Sequence, residues 1–270
     1  MMPDHLSISQ LDMFSRCGEQ YRRRYLDGEI IPPGIAARIG TGVHKAAETN
    51  WREKMRTGQD MPLDAVQDCA ADAYDQALQD GVFVPPDEAA GAKLAMAEGK
   101  DTVASLAALF RQELAPMITP ALVEEKITIN LPGVDLPVVT VLDLYTSDKA
   151  LRDLKTSSRK WGQDKADASH QPAAYREAVK QVTGEYPAAL CFDVLTSGKT
   201  PALQTLQTQR GSGDTTILTR KFQLMCTSIK AGLFLPAQPD HWCCSMKFCG
   251  YYFSCPYIPA HRKILPKKST

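Results

Sequence analysis

The sequence predicts an α/β fold: helices grouped at the front, then a sheet core interleaved with helices. Three observations point there. Residues 64–114 are Ala-rich and helical in pattern, broken at Pro85-Pro86. After Pro120 the pattern changes to short runs rich in β-branched residues, separated by one helical stretch. The last helical stretch is followed by a cysteine-rich tail. That order, helices, three strands, helix, two strands, helix, reads as an α/β core with helices grouped at the front.

The elements read in order as follows. Ser7 and Ser9 can cap a helix starting near Gln10, with Phe14, Cys17, Tyr21 and Tyr25 along one face. Gly28 to Gly34, with Pro32-Pro33, is a break. A helix is expected over 41–56, opened by the Gly-rich turn Gly40-Thr41-Gly42. Pro62 leads into a helix over 64–79, and another covers 87–114. Residues 122–131, 138–145 and 150–156 read as three strands, the last two joined by the polar turn Thr146-Ser147-Asp148. A helix over 171–181 ends at Gly184. Strands over 188–195 and 203–208 and a helix over 215–231 complete the core.

With 270 residues, the chain fits one large domain or a core with a helical insertion. Hydrophobic residues make up 44% and charged residues 23%, a globular composition. The formal net charge of zero gives no whole-chain signature for nucleic acid, so basic contacts must be local. The local runs are Arg22-Arg23-Arg24, Arg159-Lys160 and Lys267-Lys268. No apolar run approaches the ~18–20 residues of a membrane span, and the first ten residues do not read as a signal peptide. The eight cysteines are therefore read in a reducing compartment, which predicts a cytoplasmic protein.

Two segments carry candidate chemistry. In a strand, residues two apart share a face, so Asp153 and Lys155 point the same way. If 138–145 and 150–156 form a hairpin, Asp143 lies beside Asp153. Two adjacent carboxylates repel, and a hard divalent cation such as Mg²⁺ or Mn²⁺ removes that penalty and binds phosphate. Alone, Asp-x-Lys is a weak signal whose first reading is a surface ion pair at a strand end. Gln171 and Tyr175, four apart at the start of a helix, can face one substrate. His44 follows the Gly-rich turn and can reach the same cleft. Glu124 or Glu125 on the preceding strand can also approach.

The set Gly40-x-Gly42-x-His44, Asp143, Asp153-Leu154-Lys155-Thr156-Ser157 and Gln171-x3-Tyr175 resembles the RecB-like branch of the PD-(D/E)XK nucleases, in order from Ser9 to Pro256. This branch includes phage exonucleases and CRISPR adaptation nucleases. The resemblance implies a restriction-endonuclease-like core with the sheet over 121–208 and an N-terminal helical insertion at about 60–118. It implies metal ligation by His44, Asp143, Asp153 and the Leu154 carbonyl, with Lys155 as the catalytic lysine. Gln171 and Tyr175 would bind DNA, and Arg22, Arg23 and Arg24 would contact its backbone. Thr140 departs from the glycine often found three residues before the first aspartate.

Four cysteines fall between Cys243 and Cys255. Cys244-x4-Cys249-x5-Cys255 supplies three thiolates, and Cys17 the fourth. This three-plus-one pattern resembles the family's iron–sulfur staple, implying a [4Fe–4S] cluster. Zinc is the rival, although its usual paired C-x2-C knuckles are absent. Cys243 could substitute for Cys244. Trp242, Phe248, Tyr251 and Tyr252 are candidate shields, and Cys69, Cys191 and Cys226 read as core.

The function expected is a Mg²⁺- or Mn²⁺-dependent DNA exonuclease in recombination, repair or end processing, with an oligomer and partner proteins left open. Two rivals stand beside it. One is a catalytically silent iron–sulfur DNA-binding subunit of a recombination complex on a nuclease scaffold. The other is a zinc-stabilised RNA-processing protein.

Overall fold

The structure is a computed structural model in which residues 2–263 are described; the Lys267-Lys268 run lies outside them. Helix α1 (Ile8–Arg16) is capped by Ser7, whose hydroxyl accepts the Gln10 amide at 3.3 Å. The chain breaks at Cys17, which is extended (φ −160°), then re-enters helix α2 (Gly18–Tyr21), which runs on as a π turn to Leu26. Cys17 therefore sits at a joint, not within one continuous helix. The aromatic face still forms across that joint: Phe14 packs edge-on to Tyr21 at 5.4 Å, and Tyr21 lies 5.2 Å from Tyr25.

Helix α3 (Ile35–Thr57) begins six residues before the expected start, so Gly40 and Gly42 lie inside it. Close packing explains both glycines. A Cβ on Gly42 would meet the Ala70 carbonyl at 2.7 Å, and one on Gly40 would stand 3.2 Å from Thr156 Oγ1. The first lets helix α4 (Leu63–Gln79) approach, and the second the end of a core strand. Helix α5 (Ala92–Leu109) continues as a π turn to Leu114.

Five strands follow: β1 (Pro120–Ile129), β2 (Val138–Thr146), β3 (Ala150–Ser157), β4 (Ala189–Thr196) and β5 (Ala202–Thr208), in spatial order β1-β2-β3-β4-β5. All neighbours are antiparallel except β3 and β4. The parallel crossover holds α6 (Gln163–Ala168), which the sequence pattern did not announce, and α7 (Gln171–Thr183), stopped by Gly184 at φ +81°. Helix α8 (Ser212–Lys230) precedes the cysteine-rich tail.

Helical layers cover both faces of this mixed sheet. Leu142, Leu151 and Leu190 pack in one cluster with Leu11, Tyr175 and Phe222 from α1, α7 and α8. Val123, Leu144, Leu154 and Leu195 pack in another with Trp51, Tyr74 and Phe110 from the 35–114 helices. The helices expected as an insertion thus contribute to the packing of the sheet. No described helix is long and apolar enough to cross a membrane.

Candidate active site

The site forms where β1, β2 and β3 run side by side. The β2–β3 register, Leu144 opposite Arg152, continues one step to set Asp143 opposite Asp153. Asp143 Oδ2 accepts the Leu154 backbone N–H at 3.0 Å. The β1–β2 register, Val123 opposite Leu144 and Glu125 opposite Leu142, sets Glu124 opposite Asp143. Three carboxylates therefore form one row across three strands. Of the two β1 glutamates, Glu124 is the one that enters the cleft, because its backbone is in the left-handed region (φ +50°).

His44 arrives from the middle of α3, with Nδ1 3.6 Å from Asp143 Oδ2. Donor atoms of His44, Glu124 and Asp143 lie within 4.8 Å of one another. Lys155 Nζ lies 2.5 Å from Asp153 Oδ2. That contact engages the buried Oδ2 with the ammonium. Asp153 Oδ1 accepts from the Tyr175 hydroxyl at 3.2 Å, and Gln171 Nε2 donates to that hydroxyl at 2.5 Å. Gln171 and Tyr175 line the same open cleft of about 860 Å³ as His44, Glu124 and Asp143, whereas Asp153 is 2% exposed behind it.

The electrostatics follow from this crowding. Burial, opposed by Lys155 and assisted by Asp143, raises Asp153 to about 6. Burial and the Asp143 charge raise Glu124 to about 7. Burial also raises Asp143, against Lys155 and the Leu154 amide. For Lys155, burial works to lower the pKa, but Asp153 and Asp143 outweigh it and hold it above its ordinary value. Burial and the Lys155 charge lower His44, which keeps the imidazole neutral and able to ligate.

With all three carboxylates ionised against one ammonium, the site carries an excess of two negative charges. A divalent cation matches that excess, and carboxylate oxygens beside a neutral imidazole, with donor atoms of His44, Glu124 and Asp143 within 4.8 Å of one another, fit its ligation. The donor set therefore suits Mg²⁺ or Mn²⁺.

The arginine run lies elsewhere and is engaged within the chain. Arg22 pairs with Glu19 at 2.9 Å and Asp27 at 2.5 Å. Arg23 pairs with Glu29 at 2.5 Å and stacks over Tyr251. Arg24 donates to the Ile31 carbonyl at 3.1 Å. By contrast, Arg159 and Lys160 are exposed just beyond the end of β3.

Cys17, Cys244, Cys249 and Cys255 line one enclosed cavity with Tyr251 and Tyr252. Cys17 Sγ accepts the Ala237 amide at 3.4 Å, and the Gly18 amide donates to the Leu235 carbonyl at 2.7 Å. Cys243 instead turns to His241 Nδ1 at 3.0 Å and is not part of the cavity lining. Among the described residues, no three of the cysteine sulfurs lie within 4.8 Å of one another. Trp242 and Phe248, each 56% exposed, pack on each other at the surface and do not line the cavity. Cys191 and Cys226 are core residues; Cys69 is partly buried, with Sγ 3.6 Å from Thr49 Oγ1.

The PD-(D/E)XK nuclease superfamily pattern matches residues 5–256, and the chain belongs to that superfamily. Among solved structures, the chain is similar to a Eubacterium rectale protein whose exonuclease designation is provisional. Identity is 16% and the TM-score 0.55, over 99% of this chain and 91% of the other. That likeness shows the shared fold. The structure of SSO0001 aligns at 13% identity and TM-score 0.42, over 98% of this chain and 89% of the other, too distant to carry an argument. No curated protein matches the sequence.

Proposed function

We propose that this protein is a Mg²⁺- or Mn²⁺-dependent DNA exonuclease acting in recombination, repair or end processing. One observation carries the reading: the cleft brings together His44, Asp143 and the buried Asp153–Lys155 pair with more negative charge than the chain itself neutralises. His44, Asp143, Asp153 and the Leu154 carbonyl would hold the cation. When bound, the cation supplies Lewis-acid polarisation of the phosphoryl group and acidifies water.

The chain's own residues do the rest. Tyr175, held by Gln171, fixes Asp153 from one side while Lys155 holds it from the other. Water attacks phosphorus in line with the departing strand oxygen; the new P–O bond forms as the old one breaks, the attacking water giving a proton to solvent and the departing oxygen taking one from solvent. The Lys155 ammonium stabilises charge on the phosphoryl oxygens as it develops. Gln171 and Tyr175, at the cleft wall, position the strand. Backbone contacts of this kind carry no sequence information, so cleavage would be sequence-tolerant.

We further propose that Cys17, Cys244, Cys249 and Cys255 hold a structural [4Fe–4S] cluster. Their shared cavity supports this, with the absence of paired C-x2-C knuckles in the sequence.

The test is cleavage of end-labelled single- and double-stranded DNA by anaerobically purified protein with Mn²⁺, Mg²⁺ or EDTA. Metal-dependent loss of label, abolished in Lys155→Ala, is expected. Well-folded, iron-loaded protein that leaves both substrates intact would favour a DNA-binding subunit instead.

A further inference from the structure

The strand that carries Glu124 is built at a conformational disadvantage. A non-glycine residue at φ +50° inside a strand is rare and strained. It turns a carboxylate into the cleft directly across from Asp143, where two acids repel. Glu124 has no ion-pair partner within 4 Å among the described residues. The nearby Glu48 differs: it also lines the cleft but is neutralised by Lys45 at 2.9 Å and Arg52 at 3.0 Å. Asp153 is engaged as well, by Lys155 and Tyr175. Glu124 thus offers the open cleft a carboxylate that, among the described residues, is held in no ion pair.

We propose that Glu124 is a further ligand of the divalent cation, forming a three-donor face with His44 and Asp143. The proposal rests on the cation-dependent reading of the site. Around a cation with bonds of ~2.0–2.1 Å, octahedral ligand atoms lie roughly 2.9 Å apart when adjacent and 4.2 Å apart when opposite. The three donors, all within 4.8 Å of one another, can converge on such a centre with little movement. They come from three separate elements, α3, β1 and β2. The cation would therefore tie the 35–57 helix to the sheet. With Asp153 and the Leu154 carbonyl also bound, an octahedral cation would keep one position on the cleft side for water or a phosphate oxygen. Glu125, one residue on and exposed, does not line the cleft and is the natural control.

The experiment is Mn²⁺ titration of the full-length protein by calorimetry and electron paramagnetic resonance, without DNA. It compares wild type, Glu124→Gln, Glu124→Gly, Glu125→Gln and Asp143→Asn. Wild type and Glu125→Gln should bind alike, while Glu124→Gln and Glu124→Gly weaken Mn²⁺ at least tenfold. Glycine populates positive φ freely, so Glu124→Gly should also melt higher than wild type when no cation is present. It keeps the test valid should the glutamine variant fold poorly. Wild-type affinity in both Glu124 variants, with binding lost in Asp143→Asn, would overturn the role of Glu124 and leave the nuclease reading intact. Failure of wild type itself to bind Mn²⁺ would overturn both.

Discussion

Asp153 at about 6 and Glu124 at about 7 give the site a definite pH dependence. A carboxyl whose pKa rises on folding holds its proton more tightly in the folded state. Its contribution to stability is full below the unfolded value, near 4, and is lost as pH climbs through the folded value. Cation-free protein should therefore lose thermal stability between about pH 4 and pH 7 through these two groups. Asp153→Asn/Glu124→Gln protein should show a shallower fall over the same window. Mn²⁺ competes with those protons, so its stabilising effect should grow from pH 5.5 to 8 in melting curves. At this scale the sequence was informative where geometry is local. Asp153 and Lys155 share a face because strands repeat every two residues, and Asp143 meets Asp153 because a short turn sets the hairpin. Glu124 was harder to separate from Glu125, because a left-handed backbone angle, not the strand period, decides which of them reaches the cleft.

Helix α3 illustrates how packing overrides local preference. Two glycines in three residues read as a turn, since each weakens a helix by roughly 1 kcal/mol relative to alanine. They lie inside the helix because α4 and β3 come too close for side chains. Gly42→Ala should destabilise the protein by roughly 1–3 kcal/mol through overpacking against the Ala70 carbonyl. Denaturant unfolding would measure this, and a neutral effect would mean that α4 can withdraw freely. His44 rides two residues further along, so the same variant should lower Mn²⁺ affinity as the helix shifts. The break at Cys17 and the six-residue α6 were equally hidden from sequence periodicity. One depends on a tail more than two hundred residues away, and the other is too short to show a period.

For the whole molecule, the feature of longest reach is the docking of Cys17 against the 236–258 tail. With an iron–sulfur cluster at that junction, nearly the whole chain becomes one closed loop. By analogy with disulfides, such closure adds on the order of 3–5 kcal/mol by restricting the unfolded chain. Cys17→Ala should lose iron and brown absorbance and melt well below wild type, whereas Cys243→Ala should keep its iron. Iron analysis and thermal melts separate the two, and an iron-free, fully stable wild type would remove the cluster from the account. The sequence singled out Cys17, Cys244, Cys249 and Cys255, and these four line one cavity. The engagement of the Arg22–Arg24 run was not legible there, because residue spacing does not show that its side chains turn back to the nearby Glu19, Asp27 and Glu29 or that Tyr251 comes over from the tail.

The same junction orders events during synthesis. Cys17 leaves the ribosome before its cavity partners Cys244, Cys249 and Cys255. At about 5–20 residues per second, some 227 residues separate Cys17 from Cys244, so it waits roughly 11–45 s for the first of them. The helices and sheet that bear the carboxylate row can fold in that interval, but the clasp cannot close. A polypeptide released after residue 175 but before residue 255 would carry the carboxylate row with Lys155, Gln171 and Tyr175 yet lack the complete fastening. Such fragments should be cleared rapidly by proteases, so that the cell retains finished copies of a potentially destructive enzyme.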